Sequence, residues 1–252
     1  MTDLYLGVHV PADVRDYATA IGPDADPVLQ EMEAEATDEG FPIIGPAVGG
    51  WLSQLVRLTG ARRVFEFGSG FGYSAVWFAR ALPEDGEIVL TDLDDGNIDR
   101  ARSYLARAGV DDVATFEVGD AVDIAREYDG PFDIALIDAG KSQYVDAFET
   151  IRPQIPPGGA IVADNTMTAG TDDPDDVVDF RALSRLLADP SLSFEDLLAL
   201  DELDVADSAR PGTRGIHAYL QHVSSVTDFE TTFLPLGDGV TVSVRRRDGE
   251  RQ

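Results

Sequence analysis

The chain of 252 residues has a length that suits one α/β domain, and its 44% hydrophobic residues suffice for a packed core. Its 47 acidic against 19 basic residues, a formal net charge of −28, leave no basic stripe to neutralise phosphates, which excludes nucleic acid as a partner. The absence of cysteine excludes disulfides and thiolate metal centres.

Residues 1–42 are acidic, punctuated by Pro11, Pro23, Pro27 and Pro42, and predict helices lying outside the main sheet. They open Met1-Thr2-Asp3 with no basic stretch leading into an apolar run, and no run anywhere nears the roughly 20 residues of a membrane span. The expectation is therefore a cytoplasmic protein with no signal peptide and no membrane partner. Pro46 opens a helix with Val48, Leu52, Leu55, Val56 and Thr59 on one face and Gly60 as its C-terminal cap.

From residue 62 the pattern alternates. Strands are predicted at 64–67, 88–91, 113–118, 132–137 and 160–163, with helices between them at 73–82, 98–108, 121–128 and from Tyr144 to Ile151. Such alternation implies parallel strands joined by right-handed crossovers, hence a doubly wound, mostly parallel α/β sheet. Residues 171–211 break the rhythm with twelve acids against three arginines. Two amphipathic helices are expected there, one carrying Val177, Phe180, Leu183 and Leu187, the other Phe194, Leu197 and Leu198 behind a Ser193 cap. This stretch is either a lid or a surface insertion. A helix near 213–224 and two strands follow. The link Pro235-Leu236-Gly237-Asp238-Gly239 predicts that these strands pair as an antiparallel hairpin, which brings the sheet to seven strands. The expected organisation is a single domain: N-terminal helices at 1–60, a core at 61–170, the acidic insertion at 171–211, and a C-terminal helix and hairpin at 212–252.

The first strand runs into Gly68-Ser69-Gly70-Phe71-Gly72-Tyr73-Ser74 and then a helix, a loop whose glycines let backbone amides approach a ligand. A dinucleotide fingerprint would need its third glycine where Tyr73 stands. The spacing Gly-x-Gly-x-Gly, with Glu66 two residues ahead, is instead similar to the first motif of class I methyltransferases. That likeness implies that Glu66 orders the loop or meets the ammonium of S-adenosylmethionine, and that Ser74 bonds its carboxylate. Asp92 ends the second strand, 24 residues after Gly68, where an acid can hold both ribose hydroxyls of either nicotinamide or S-adenosylmethionine cofactors. Asp120 follows the third strand and either holds the adenine amino group or caps the helix beginning at Ala121.

Asp138 ends the fourth strand and Asp164-Asn165 the fifth. If these strands are neighbours, two carboxylates and an amide oxygen converge as hard donors suited to Mg²⁺. The competing interpretation is that acids at strand ends only hydrate the surface, for the acidic, lysine-poor composition resembles that of extreme halophiles. Lys141 argues for chemistry. It is the one lysine among 19 basic residues, three positions after Asp138, and an amine can release and take back a proton where a guanidinium cannot.

Taken together, Gly45-Pro46, FEFGSGFGYSA, LIDAGKSQY and ADN resemble the cation-dependent O-methyltransferases of the catechol and caffeoyl-CoA type. The resemblance spans roughly residues 43–170 and returns from GIHAYL to LPLGDGVTVSVRR. It implies Asp138, Asp164 and Asn165 as Mg²⁺ ligands and Lys141 as general base. It further implies Glu66, Gly68, Gly70, Gly72, Ser74, Asp92, Asp120 and Asp138 at the cofactor, and a homodimer. Where that family commonly reads Asp-Ala-Asp-Lys, Gly140 replaces the second acid. The function implied is Mg²⁺-dependent methylation of a small-molecule hydroxyl, catecholic or otherwise phenolic, free or linked to CoA. The alternatives are a catalytically silent S-adenosylmethionine-binding or scaffold protein and, less favoured by the loop, a nicotinamide-dependent dehydrogenase.

Overall fold

The structure, a computed structural model, describes residues 26–166, 211–247 and Gly249. The amphipathic helices expected within 171–211 and everything expected of residues 1–25 lie outside the described residues. Helix α1 (Pro27–Glu39) starts at Asp26, whose carboxylate accepts from Val28 N at 2.8 Å and Leu29 N at 3.1 Å, and stops at Gly40 with φ 65°. It buries Leu29, Met32 and Ala36 at helical spacing. Its polar side is tied down by charge: Arg100 bonds Glu35 and Glu39, Arg107 bonds Glu31, and Tyr73 donates to Glu33 at 2.6 Å.

Helix α2 (Gly45–Thr59) ends at Gly60, whose φ of 67° needs no Cβ. Of the face that the periodicity predicts, Val48, Leu52 and Val56 are buried; Leu55 at its margin is half-buried, and Thr59, in the last turn, is exposed. Gly49 sits where α2 crosses the helix carrying Trp77, and a Cβ there would lie 2.3 Å from the indole nitrogen. Gly49→Ala is expected to destabilise the fold by about 1–3 kcal/mol through overpacking, seen as a lower denaturation midpoint at unchanged slope.

The alternating region then runs β1 (Arg63–Phe67), α3 (Tyr73–Ala79), β2 (Glu87–Asp92), α4 (Asp95–Ala108), β3 (Ala114–Val118), α5 (Ala121–Glu127), β4 (Ile134–Ile137), α6 (Tyr144–Ile151) and β5 (Ala160–Ala163). Helix α7 (Pro211–Ser225) leads to β6 (Phe229–Leu234) and β7 (Val240–Arg245). The seven strands lie in the order β3-β2-β1-β4-β5-β7-β6. The first five are parallel, and β7 runs antiparallel to both β5 and β6. Alternate strand residues feed two cores: Val64, Ile88, Leu90 and Leu136 pack under α1 to α4, while Phe65, Val89, Ala135 and Ile137 pack with residues of α5, α6 and α7.

Several boundaries differ from the sequence expectation, most by one to three residues. Asp111–Val113 is a 3₁₀ turn ahead of β3, α3 stops at Ala79 rather than 82, and β4 begins at Ile134 rather than 132. Strand β7 is buried on both faces over its first part, Thr241 and Ser243 as fully as Val240, while Val244 is exposed. No described helix is long and apolar enough to cross a membrane. The winding reverses between β1, which leads outward to β2 and β3, and β4, which starts the return. Ligands of such sheets gather at that reversal, beyond the carboxyl ends of the strands.

Candidate active site at the carboxyl edge of the sheet

The glycine loop after β1 adopts φ 82°, 50° and 89° at Gly68, Gly70 and Gly72, conformations costly for residues with a Cβ. Gly68 is also held by space, since a Cβ would meet the Asp138 carbonyl at 2.4 Å, so the loop lies flat against the end of β4. Asp92 reaches across from β2 and accepts from Gly70 N at 3.0 Å, while its other oxygen accepts from Asp94 N and the Asn97 amide. Ser74, in the first turn of α3, is buried.

Glu66 is wholly buried, and neither carboxylate oxygen finds a hydrogen bond of ordinary geometry. Burial drives its pKa up to about 7 despite the nearby hydroxyls of Ser74 and Ser69, and the charge of Asp138 adds to the rise. An uncompensated carboxylate here is costly unless a cationic group meets it. The loop, Glu66 and Asp92 thus form a cleft with amide donors, a ribose-compatible acid and an orphaned anion, which fits S-adenosylmethionine.

Asp120 takes the capping role that the sequence left open: Oδ1 accepts from Val122 N and Asp123 N at the start of α5. Its second oxygen accepts from Gln143 Nε2 at 2.8 Å. Burial would raise its pKa, but these bonds outweigh that and hold the carboxyl below its ordinary value.

On the other side of the loop, β4 and β5 are adjacent and in register through Ile137 and Ala163, which places Asp138 beside Asp164. Successive strand residues normally point to opposite faces. Beyond the end of β5, Asn165 has φ 51°, a left-handed conformation that asparagine tolerates better than most residues, and its amide oxygen shares a partner with Asp138. The link is Lys141, whose Nζ lies 2.8 Å from Asn165 Oδ1 and 3.5 Å from Asp138 Oδ1. The Asp164 carboxylate is 1% exposed, and its Oδ1 has no hydrogen-bond partner. Burial and then the Asp138 charge push its pKa well above normal. Asp138 is raised too, by burial, though Lys141 opposes the rise. Among the described residues no three His, Cys, Asp or Glu side chains form a metal cluster. The donor set here is two carboxylates and an amide, and mutually repelling, partly orphaned hard oxygens fit a divalent cation.

Several residues of this corner went unmarked in the sequence. Tyr144, part of the apolar stripe of α6, is completely buried yet contacts Lys141 Nζ through its hydroxyl and donates to the Asp164 carbonyl at 2.9 Å. Gly215 of α7 backs the Lys141 turn so closely that a Cβ would lie 2.4 Å from the Lys141 carbonyl. Thr166 N donates to Gly239 O at 2.9 Å, pinning the Asp164-Asn165 loop to the β6–β7 turn and bringing the charge of Asp238 to bear on both aspartates.

A sequence profile described as O-methyltransferase matches residues 20–246. A catechol O-methyltransferase of Niastella koreensis is 34% identical over 156 residues, 60% of this chain and 70% of that protein. Caffeoyl-CoA O-methyltransferase 2 of Zea mays is 30% identical over 203 residues, 78% of this chain and 67% of its own. Among solved structures, the O-methyltransferase TomG of Streptomyces achromogenes, in complex with SAM, superposes with a TM-score of 0.71 at 25% identity, covering 93% of this chain and 96% of its own. An O-methyltransferase from Bacillus cereus in complex with SAH gives 0.72 at 24% identity, over 92% and 97% of the two chains, and so speaks to the fold.

Proposed function

The chain belongs to the O-methyltransferase family, and from that premise we propose that its carboxyl-edge cleft transfers the methyl group of S-adenosylmethionine to a small-molecule hydroxyl with the help of a divalent cation, Mg²⁺ by preference. The observation that carries the reading is the meeting of Asp138, Asn165 and the orphaned Asp164 around Lys141, directly beside the glycine loop that follows Glu66.

In this reading Asp138, Asp164 and the Asn165 amide hold the cation, which when bound supplies the positive charge that eases ionisation of an acceptor hydroxyl. Lys141, steered by Tyr144 and Asn165, takes the hydroxyl proton on its Nζ. Glu66 receives the ammonium of the methyl donor, Ser74 its carboxylate, and Asp92 its ribose. Gly68, Gly70 and Gly72 let the backbone close on it, and Asp120 borders the adenine. Most of the acceleration then comes from holding acceptor and donor in line in a walled cleft. Catechols and caffeoyl-CoA are the acceptors of the relatives and the first compounds to offer. A cytoplasmic homodimer, hydrated by its acidic surface in the manner of halophile proteins, belongs to the same proposal and rests on composition and family resemblance.

The test is product formation from S-adenosylmethionine with catechol or caffeoyl-CoA, with added Mg²⁺, after complete chelation, and after Mg²⁺ is restored. Turnover is expected to vanish on chelation and to return with the metal. Activity persisting without metal would remove the cation. Cofactor binding with no product from a broad panel of phenols would favour the catalytically silent alternative.

A further inference from the structure

Asp120 follows β3 and Gln143 follows β4, and in the sheet β2 and β1 lie between those two strands. The 2.8 Å bond from Gln143 Nε2 to Asp120 Oδ2 therefore joins the loops after β3 and β4 at the same carboxyl edge where β2 and β1, between them, present Asp92 and the glycine loop. Asp120 has little left to offer a ligand. One oxygen caps α5 through two backbone amides, and the other is engaged by Gln143.

Gln143 is differently placed. A carboxylate only accepts, so the NH₂ end of the amide must face Asp120, which fixes the amide orientation and turns Oε1 the other way. That oxygen faces the place where Gly140 carries no side chain: a Cβ on Gly140 would lie 3.7 Å from Gln143 Oε1 and, its chain neighbours aside, within 4 Å of no other atom of the described residues. The turn that carries the amide is braced, because Gln143 N donates to Gly140 O at 2.8 Å immediately before α6 begins. A braced amide, with its acceptor beside the side-chain-free Gly140 and a second N–H beyond the one given to Asp120, matches the amino edge of adenine, which presents a donor beside a ring-nitrogen acceptor.

We infer that Gln143, oriented by Asp120, reads the amino edge of the cofactor's adenine and sets the base specificity of the site; the inference rests on the S-adenosylmethionine reading above. Asp120 acts through Gln143 and is a positioning residue. A base carrying a 6-oxo group in place of the amine would set one acceptor against another at Oε1 and bind less well.

The experiment is calorimetric titration of the wild-type protein and of Gln143→Ala with S-adenosylhomocysteine and with S-inosylhomocysteine, without acceptor or turnover. The wild type is expected to prefer the adenosyl ligand by about tenfold or more, the scale of one bidentate base contact. The variant, altered at a half-buried surface turn, is expected to bind both ligands with a ratio near one. A ratio unchanged in the variant, or equal losses for both ligands, would overturn the assignment to Gln143 while leaving the cofactor reading intact. A wild type that binds neither ligand would overturn both.

Discussion

Replacing Lys141 by alanine is expected to lower turnover by about 10²- to 10⁴-fold, the range of a positioned general base, while leaving S-adenosylhomocysteine binding close to that of the wild type. The two effects separate because of where the amine points. Its hydrogen-bond partners are Tyr144 Oη, Asn165 Oδ1 and Asp138 Oδ1, on the β4–β5 side of the cleft; Glu66, Asp92 and the glycine loop are not among them. The informative control is Lys141→Arg. A guanidinium keeps the positive charge that tempers Asp138, and so keeps the structural part of the role, but it cannot accept a proton at working pH. If lysine is the base, arginine preserves folding and cofactor binding yet fails in turnover. Single-turnover rates for the three proteins decide the matter, and an arginine variant with wild-type rate would reduce Lys141 to an ion-pair partner.

Much of this arrangement was legible in the sequence because the features involved are local. Short apolar runs bounded by turn residues gave strands, and glycine at a helix end gave a stop: Gly60 takes the left-handed conformation that its position suggested. The convergence of Asp138 with Asp164 was conditional in the sequence on β4 and β5 being neighbours; the sheet makes them so, although the equally consecutive β3 and β4 lie apart. What escaped depends on contacts between distant elements. Tyr144 reads as one more apolar position on α6, and only the packed structure shows its hydroxyl wedged between Lys141 and the Asp164 carbonyl. Asn165 is visible as a donor, but not as a residue whose backbone must turn left-handed for its side chain to serve. Gly215 looks like any helical glycine until α7 is pressed against the Lys141 turn. The acidic composition hid individual roles as well. Glu31, Glu35 and Glu39 are indistinguishable from solvating acids in the sequence, yet they hold α1 to Arg100 and Arg107.

Replacing Glu66 by glutamine is expected to stabilise the ligand-free protein at alkaline pH and to weaken its hold on the cofactor, two effects of opposite sign from one buried charge. Burial lifts the Glu66 pKa from an ordinary 4.5 to about 7 in the folded protein. Between those values the folded state keeps a proton that the unfolded chain has released, so raising pH through this window costs stability. Each pH unit costs about 1.4 kcal/mol for one such group, or about 3 kcal/mol in all by pH 7 and above. The amide pays no such penalty, so the stability gap between variant and wild type should open as pH rises from about 4.5 and level off above about 7. Urea unfolding across that range measures it, and a gap independent of pH would show that Glu66 is not the buried acid responsible. Cofactor binding runs the other way. The ammonium of S-adenosylhomocysteine needs the ionised carboxylate, so below pH 7 binding to the wild type must release a proton, visible as a binding enthalpy that changes with the ionisation enthalpy of the buffer. The glutamine variant loses that dependence together with a charge-assisted hydrogen bond of about 1.5–3 kcal/mol, roughly 10- to 100-fold in affinity. Unchanged affinity would mean that the orphaned carboxylate faces something other than the cofactor's amine.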